Sequence, residues 1–127
     1  MYQYSKRNKL KNKQDIDKLF SEGNYIRQSC LKLVYRVTKL NDGLDYRRKV
    51  GVSVSKRNFK RAVDRNLLKR RLRESYRLNQ LLLNHNGYAL DLMIMYQSKG
   101  FISSTELALV VKRLLQKLNE QIQLESK

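Results

Sequence analysis

Twenty-two consecutive residues, Lys56 to Arg77 (KRNFKRAVDRNLLKRRLRESYR), hold ten Lys or Arg against two acids, Asp64 and Glu74. The stretch has no Gly or Pro, and after Ala62 it is rich in straight-chain residues that lose little rotamer freedom in a helix. It therefore predicts a helix over the whole run, ending near Gln80. At about 100° per residue, Arg65, Lys69, Arg73 and Arg77 fall on one side, with Asn66 and Arg70 beside them. Leu67, Leu68, Leu72 and Leu78 gather on the other side. The charge is thus a stripe with an apolar back, which needs a protein core behind it and a polyanion in front. Solvated helix faces usually mix signs for i,i+4 pairing, whereas here Glu74 is nearly the only acid within reach.

The rest of the chain agrees. Its 127 residues suffice for one core but not two, so residues 1–127 read as a single nucleic-acid-binding domain. The tails, residues 1–9 and 123–127, are polar and are expected to fray. Hydrophobic residues make up 41%, enough to fold, while a formal net charge of +17 exceeds what solubility requires. No stretch approaches the roughly 18 apolar residues needed to span a bilayer. The polar start MYQYSKRNKLKNK lacks a signal-peptide apolar region, so no membrane partner and a cytoplasmic location are expected.

Cysteine and histidine exclude more than they suggest. Cys30 is alone, so it has no intramolecular disulfide partner and no Cys cluster holds zinc; it is read as a packing residue. His85 is the only histidine and sits in the turn-like NHNG, away from any catalytic signature. Asp15, Asp17, Asp42, Asp45, Asp64 and Asp91 are scattered over separate elements, unlike the converging carboxylates of two-metal chemistry. No catalytic residue and no metal ligand are therefore assigned.

Hydrophobic periodicity gives the remaining elements. A first helix is expected from about Lys13 to Glu22, with Ile16, Leu19 and Phe20 on one side and Gly23 as its stop. Ser29–Leu40 alternates, placing Leu31, Leu33, Tyr35 and Val37 on one face and Lys32, Val34, Arg36 and Thr38 on the other. Asn41-Asp42-Gly43 supplies turn chemistry. Arg48–Ser55 then returns as a second strand, with Val50, Val52 and Val54 opposite Gly51, Ser53 and Ser55. Tyr88–Tyr96 reads as a buried third strand. Ser103-Ser104-Thr105-Glu106 is a capping box before a last helix, whose Leu107, Val110, Val111, Leu114, Leu115, Leu118 and Ile122 form a core stripe. The order α-β-β-α-β-α describes a small α+β domain, an α/β sandwich.

Two groups of residues suit RNA. On the basic helix, guanidinium forks and ammonium groups match phosphates, and Asn66 adds a neutral donor and acceptor inside the stripe. Where the second strand leads towards that helix, Ser53, Ser55, Lys56 and Arg57 offer small hydroxyls and cations that let a nucleic-acid strand approach closely; equally, they suit the polar face of a strand. Ile16, Phe20 and Tyr35 offer apolar and aromatic surface for unpaired bases, or alternatively ordinary core packing.

The segment from Val50 to Arg77, VGVSVSKRNFKRAVDRNLLKRRLRESYR, resembles the signature of the bacterial ribonuclease P protein component: a Gly-hydrophobic-Ser/Thr-Val strand, a basic turn, then an R-N-x-x-K-R-x-x-R-E helix. Arg65, Asn66, Lys69, Arg70, Arg73 and Glu74 carry the match, and a looser similarity runs from about Leu10 to Leu118. Leu67 departs from the family's frequent R-N-R, on what the helical phase makes the apolar side. The resemblance implies an accessory subunit of a ribonucleoprotein whose RNA removes the 5′ leader of precursor tRNA with the help of Mg2+. It implies no cofactor on the protein itself, no obligate protein partner, and a left-handed βαβ crossover. Carried over, Arg61, Arg65, Asn66, Lys69, Arg70, Arg73 and Arg77 would contact the catalytic RNA. Ile16, Phe20, Tyr35, Ser53, Ser55, Lys56 and Arg57 would border the leader cleft, although a one-residue slip would swap the strand face.

Other classes explain less. A ribosomal or RNA-chaperone-like protein accounts for the charge but not the motif order. A duplex-DNA regulator would use the basic helix as a symmetric dimer, and no second interface is apparent in the sequence. A self-contained nuclease lacks the carboxylate cluster.

Overall fold

The computed structural model describes residues 13–39, 48–83 and 88–125. In chain order these form α1 (Lys13–Glu22), β1 (Asn24–Gln28), β2 (Leu31–Lys39), β3 (Arg48–Val54), α2 (Ala62–Asn79), a 3₁₀ turn at Gln80–Leu82, β4 (Tyr88–Tyr96) and α3 (Ser104–Glu125). The strands build one sheet in the order β1-β2-β4-β3. Asn41-Asp42-Gly43, His85 and residues 1–9 lie outside the described residues. α3 continues to Glu125, past the position where a frayed tail was expected to begin.

Strand alternation sets the layers. Leu31, Leu33 and Tyr35 of β2, Val50 and Val54 of β3, and Leu90, Leu92, Ile94 and Tyr96 of β4 are buried together with Leu68, Leu72 and Tyr76 of α2 and the whole apolar stripe of α3. On the other face, Leu19 of α1 packs with Val34 and Met93, and Ile16 and Met95 border that smaller cluster. The molecule is therefore a sandwich: α1, the sheet, then α2 with α3. Apart from Asp91, β4 is apolar on both faces from Ala89 to Met95, which suits a strand in the sheet interior.

Two features differ from the sequence expectation. β1 is an additional strand, paired antiparallel with β2 from Asn24↔Tyr35 to Gln28↔Leu31. Its turn is only Ser29-Cys30, with Ser29 in the left-handed region at φ 54, a position where Gly or Asn would have announced a hairpin. The second difference is that β2 and β3 do not pair. β4 lies between them, antiparallel to β2 and parallel to β3. A parallel pair needs a crossover, and α2 supplies it.

α2 also begins later than the basic run. Residues 56–58 form a turn and the helix starts at Ala62. Phe59 explains this. Nine residues before Leu68, a continued helix would aim Phe59 about 180° away from the core. Phe59 is instead buried against Tyr96 and Phe101, at centroid distances of 5.9 and 5.0 Å. Burying the ring thus breaks the helix.

Gly23 ends α1 for a reason other than backbone handedness. A Cβ there would sit 2.3 Å from the Leu19 carbonyl oxygen, 2.8 Å from Val34 Cγ2 and 2.9 Å from the Tyr35 carbonyl oxygen. Only glycine lets α1 turn onto the sheet this closely. At α3 the Glu106 N–H donates to Ser103 Oγ at 3.1 Å, one half of the expected capping box. On the edge strand β1, Lys117 Nζ donates to the Arg27 carbonyl at 3.1 Å.

Candidate nucleic-acid interface

On α2, Leu68, Leu72, Ser75 and Tyr76 are buried, and this fixes the opposite side as the solvent face. Asn66, Arg70 and Arg73 are exposed there and Arg77 is half-buried. Lys69 and Arg65 lie on the flank, half-buried, and Arg61 is exposed at the N-cap without a side-chain capping bond. From residue 66 to residue 77 the row extends about 16 Å along the helix. Leu78, expected on the apolar back, is 61% exposed. The back of the helix is instead completed by Ser75 and Tyr76, because the core centres on Leu68 and Leu72. Leu67 is half-buried and lines a groove with Ser104 and Ala108 of α3.

Two members of the stripe have internal partners. Arg65 Nη1 donates to the carbonyls of Phe59 and Lys60 at 2.8 and 2.9 Å, bracing the 56–61 turn. Arg77 grips Glu74 with two bonds, Nη2 to Oε1 at 2.6 Å and Nε to Oε2 at 3.1 Å. These bonds hold the Glu74 carboxyl below the ordinary carboxylate range.

The second group gathers where β3 leaves the sheet. Ser53, Ser55 and Arg57 line a concave surface with Asn58, Met95, Tyr96, Gln97 and Lys99. The Arg57 N–H donates to Ser55 Oγ at 3.1 Å. That leaves the Ser55 hydroxyl hydrogen to be donated outward. Lys56 is exposed in the adjoining turn. Tyr96 hydroxyl donates to the Gly100 carbonyl and pins the 97–100 loop that carries Gln97 and Lys99. Asn58, Gln97 and Lys99 were missed by sequence reasoning; only the parallel pairing of β3 with β4 brings the latter two here.

Tyr35 does not belong to this face. It is 2% exposed and buried on the α2–α3 side, while Val34 faces α1. The alternation of β2 was legible, but which face met which helix was not, and the one-position difference reverses it. Ile16 is half-buried against the Leu19–Val34–Met93 cluster. Phe20 is 39% exposed on α1 and joins neither buried cluster.

The sequence model of the family described as Ribonuclease P matches residues 4–119. The chain belongs to that family. It is 41% identical over 83 residues to the ribonuclease P protein component of Porphyromonas gingivalis, a match spanning 63% of this chain and 57% of that protein. With the ribonuclease P protein component of Chromobacterium violaceum the identity is 36% over 87 residues, 68% of each chain. The match thus spans little more than half of the Porphyromonas relative. The fold is similar to that of the RNase P protein from Thermotoga maritima, with a TM-score of 0.69 at 23% identity over 86% of this chain and 96% of that one. It is also similar to the Staphylococcus aureus RNase P protein, with a TM-score of 0.66 at 20% identity over 87% and 94% of the two chains.

Among the described residues no three His, Cys, Asp or Glu side chains gather where they would share a metal ion. Cys30 has its thiol pushed up by burial, which keeps it protonated and poorly nucleophilic. No helix among the described residues is long and apolar enough to cross a membrane. What the described residues do present is cations arranged on two surfaces.

Proposed function

We propose that this chain is the protein subunit of a ribonuclease P holoenzyme in the cytoplasm, binding the catalytic RNA and the 5′ leader of precursor tRNA. The outer face of α2 meets the catalytic RNA through Asn66, Lys69, Arg70 and Arg73, with Arg61 and Arg77 at its ends. The surface at the β3 exit meets the single-stranded leader through Ser53, Ser55, Lys56 and Arg57, with Ile16 and Phe20 contributed by α1. The observation that carries this reading is the separation of a predominantly cationic helix face from a smaller polar concavity with hydroxyls, amides and a thioether. The first suits the phosphates of a folded RNA, the second an unpaired strand.

Bond cleavage is assigned to the RNA and its Mg2+, with no catalytic group and no cofactor on the protein. The subunit instead lowers phosphate repulsion between two large RNAs and raises affinity for substrates that carry a leader. Reconstitution tests this. The protein alone should leave precursor tRNA intact, and adding it to the cognate RNA should stimulate 5′ maturation at physiological magnesium. Cleavage by the protein alone, or no stimulation, would overturn it.

A further inference from the structure

Phe20, Tyr25 and Phe101 are the aromatic side chains exposed among the described residues. The first two belong to the α1 side, where the Tyr25 hydroxyl donates to the Phe20 carbonyl at 3.1 Å. Phe101 lies elsewhere. Its ring meets that of Phe59 edge-on, at a centroid distance of 5.0 Å and an angle of 64°. Phe59 belongs to the core shared by the sheet, α2 and α3, and Ile102 packs against the same core. Phe101 therefore sits on the layer that carries α2, with 50% of its surface exposed. Leaving half a phenyl ring in water forgoes burial that would favour folding, and neither surface described above accounts for it.

The ring is held at both ends of its segment. Before it, the Tyr96 hydroxyl donates to the Gly100 carbonyl, and the Gly100 N–H donates to Ser98 Oγ at 3.2 Å. After it, Arg71 Nη1 donates to the Ile102 carbonyl at 3.3 Å, and Ser103 caps α3. A ring fixed in this way loses little entropy on taking a ligand. Ser104 shares a groove with Leu67, Arg70 and Arg71 of α2. Three residues of chain reach at most about 11 Å, so Phe101 stands no farther than that from the edge of the basic face. Lys60 and Arg61, which follow Phe59, are exposed. Among the described residues neither they nor Arg70 pair with a carboxylate; the ion pairs are Arg36–Glu22 and Arg77–Glu74. A second copy of a chain with net charge +17 would be repelled here, whereas a nucleotide brings a base for the ring and a phosphate for the cations.

We propose that Phe101 stacks on an unpaired base of the catalytic RNA, with Lys60, Arg61 and Arg70 on the phosphates beside it. The proposal rests on the reading that α2 meets that RNA. It adds a contact of a different kind. Cations bind phosphates wherever the backbone passes, but a ring needs the free face of a base that no helix has stacked. Phe101 thus fixes where along the RNA the basic face settles, at an unpaired nucleotide.

The test uses the full chain and its cognate catalytic RNA, without precursor tRNA. Phe101→Leu keeps an apolar group against Phe59 but removes the ring, and affinity for the RNA should fall roughly fivefold or more. Because no phosphate contact is lost, the loss should be the same at every salt concentration, with the salt slope unchanged. Phe101→Tyr should bind as wild type does. No loss on Phe101→Leu, or a loss that comes with a flatter salt slope, overturns the proposal. The chain has no Trp, so Phe101→Trp supplies a single indole reporter that decides the matter even if the Leu variant unfolds more easily. Its emission should be quenched by the catalytic RNA and not by a fully paired RNA duplex. Equal quenching by both, or quenching that appears only when precursor tRNA is added, overturns the proposal. If wild type does not bind the catalytic RNA, or Arg73→Ala leaves that binding and its salt slope untouched, the reading of α2 itself fails. A free unpaired oligonucleotide then decides Phe101 independently: quenching of the Trp variant supports stacking, and its absence overturns it.

Discussion

Arg65 and Arg73 both belong to the basic face of α2, yet their removal should have opposite signatures. Arg65 Nη1 bridges the carbonyls of Phe59 and Lys60 at 2.8 and 2.9 Å. Hydrogen bonds from a charged donor contribute roughly 1.5–3 kcal/mol each, but this site is half-exposed and water replaces part of the loss, so Arg65→Ala should cost about 2 kcal/mol in all. For a domain of this size that is a fall in Tm of roughly 8 °C. Arg73 is exposed and makes no such bond, so Arg73→Ala should change stability by less than about 0.5 kcal/mol. Its effect should appear instead in binding to the catalytic RNA, as a salt slope smaller by roughly 0.7–0.9. Urea unfolding and RNA titration over a range of salt, both below the melting temperature of the weaker variant, separate the two. An Arg65→Ala protein with an unchanged unfolding midpoint and a flattened salt slope would refute the assignment of Arg65 to the turn.

Gly23→Ala should destabilise by roughly 2–4 kcal/mol, because two of the three atoms the new Cβ would strike are backbone oxygens that cannot swing aside. A denaturant midpoint equal to wild type would contradict the close seat of α1 on β2. Glu74→Gln should release Arg77 and steepen the salt dependence of RNA binding, since the carboxylate now occupies that guanidinium. The sign of the pH effect follows from the lowered Glu74 pKa. The pair stabilises above the unfolded-state carboxylate pKa and fades as pH falls through the folded value, so wild-type and variant unfolding midpoints should converge in acid. A constant difference at all pH values would exclude the pair as its source.

Sequence periodicity was sufficient wherever one residue class marked one face. The α3 stripe from Leu107 to Ile122 is buried throughout, and α1 and β4 have the expected bounds. It was insufficient where the deciding partner is remote in the chain. Nothing in Asn24–Gln28 announces β1, because its turn uses Ser29 at positive φ without a glycine. Nothing in β2 says which face meets α1, since Leu33 and Val34 are equally apolar; the register with β4 and the approach of Gly23 settle it. In the candidate site, Ser53, Ser55 and Arg57 were visible as a polar strand exit. Gln97 and Lys99 were not, because they arrive from a segment forty residues on, by the parallel pairing of β4 with β3.

The basic run that dominates the sequence is best understood through the one aromatic residue inside it. Had Lys56–Arg77 been a single helix, all its cations would share one rod and serve one partner. Phe59 instead enters the core against Tyr96 and Phe101, and the chain turns a corner there. Before the corner, Ser55 and Arg57 join the concavity beside Met95, on the sheet face that carries α1. After it, Arg70 and Arg73 point outward from a helix packed on the opposite face. Arg65, the first turn's brace, ties the corner shut. One contiguous stretch of positive charge thus reaches two sides of a sheet at its β3 edge. Under the proposed function one subunit holds a structured RNA and an unpaired strand at once, and a straight helix would not supply the division that this requires.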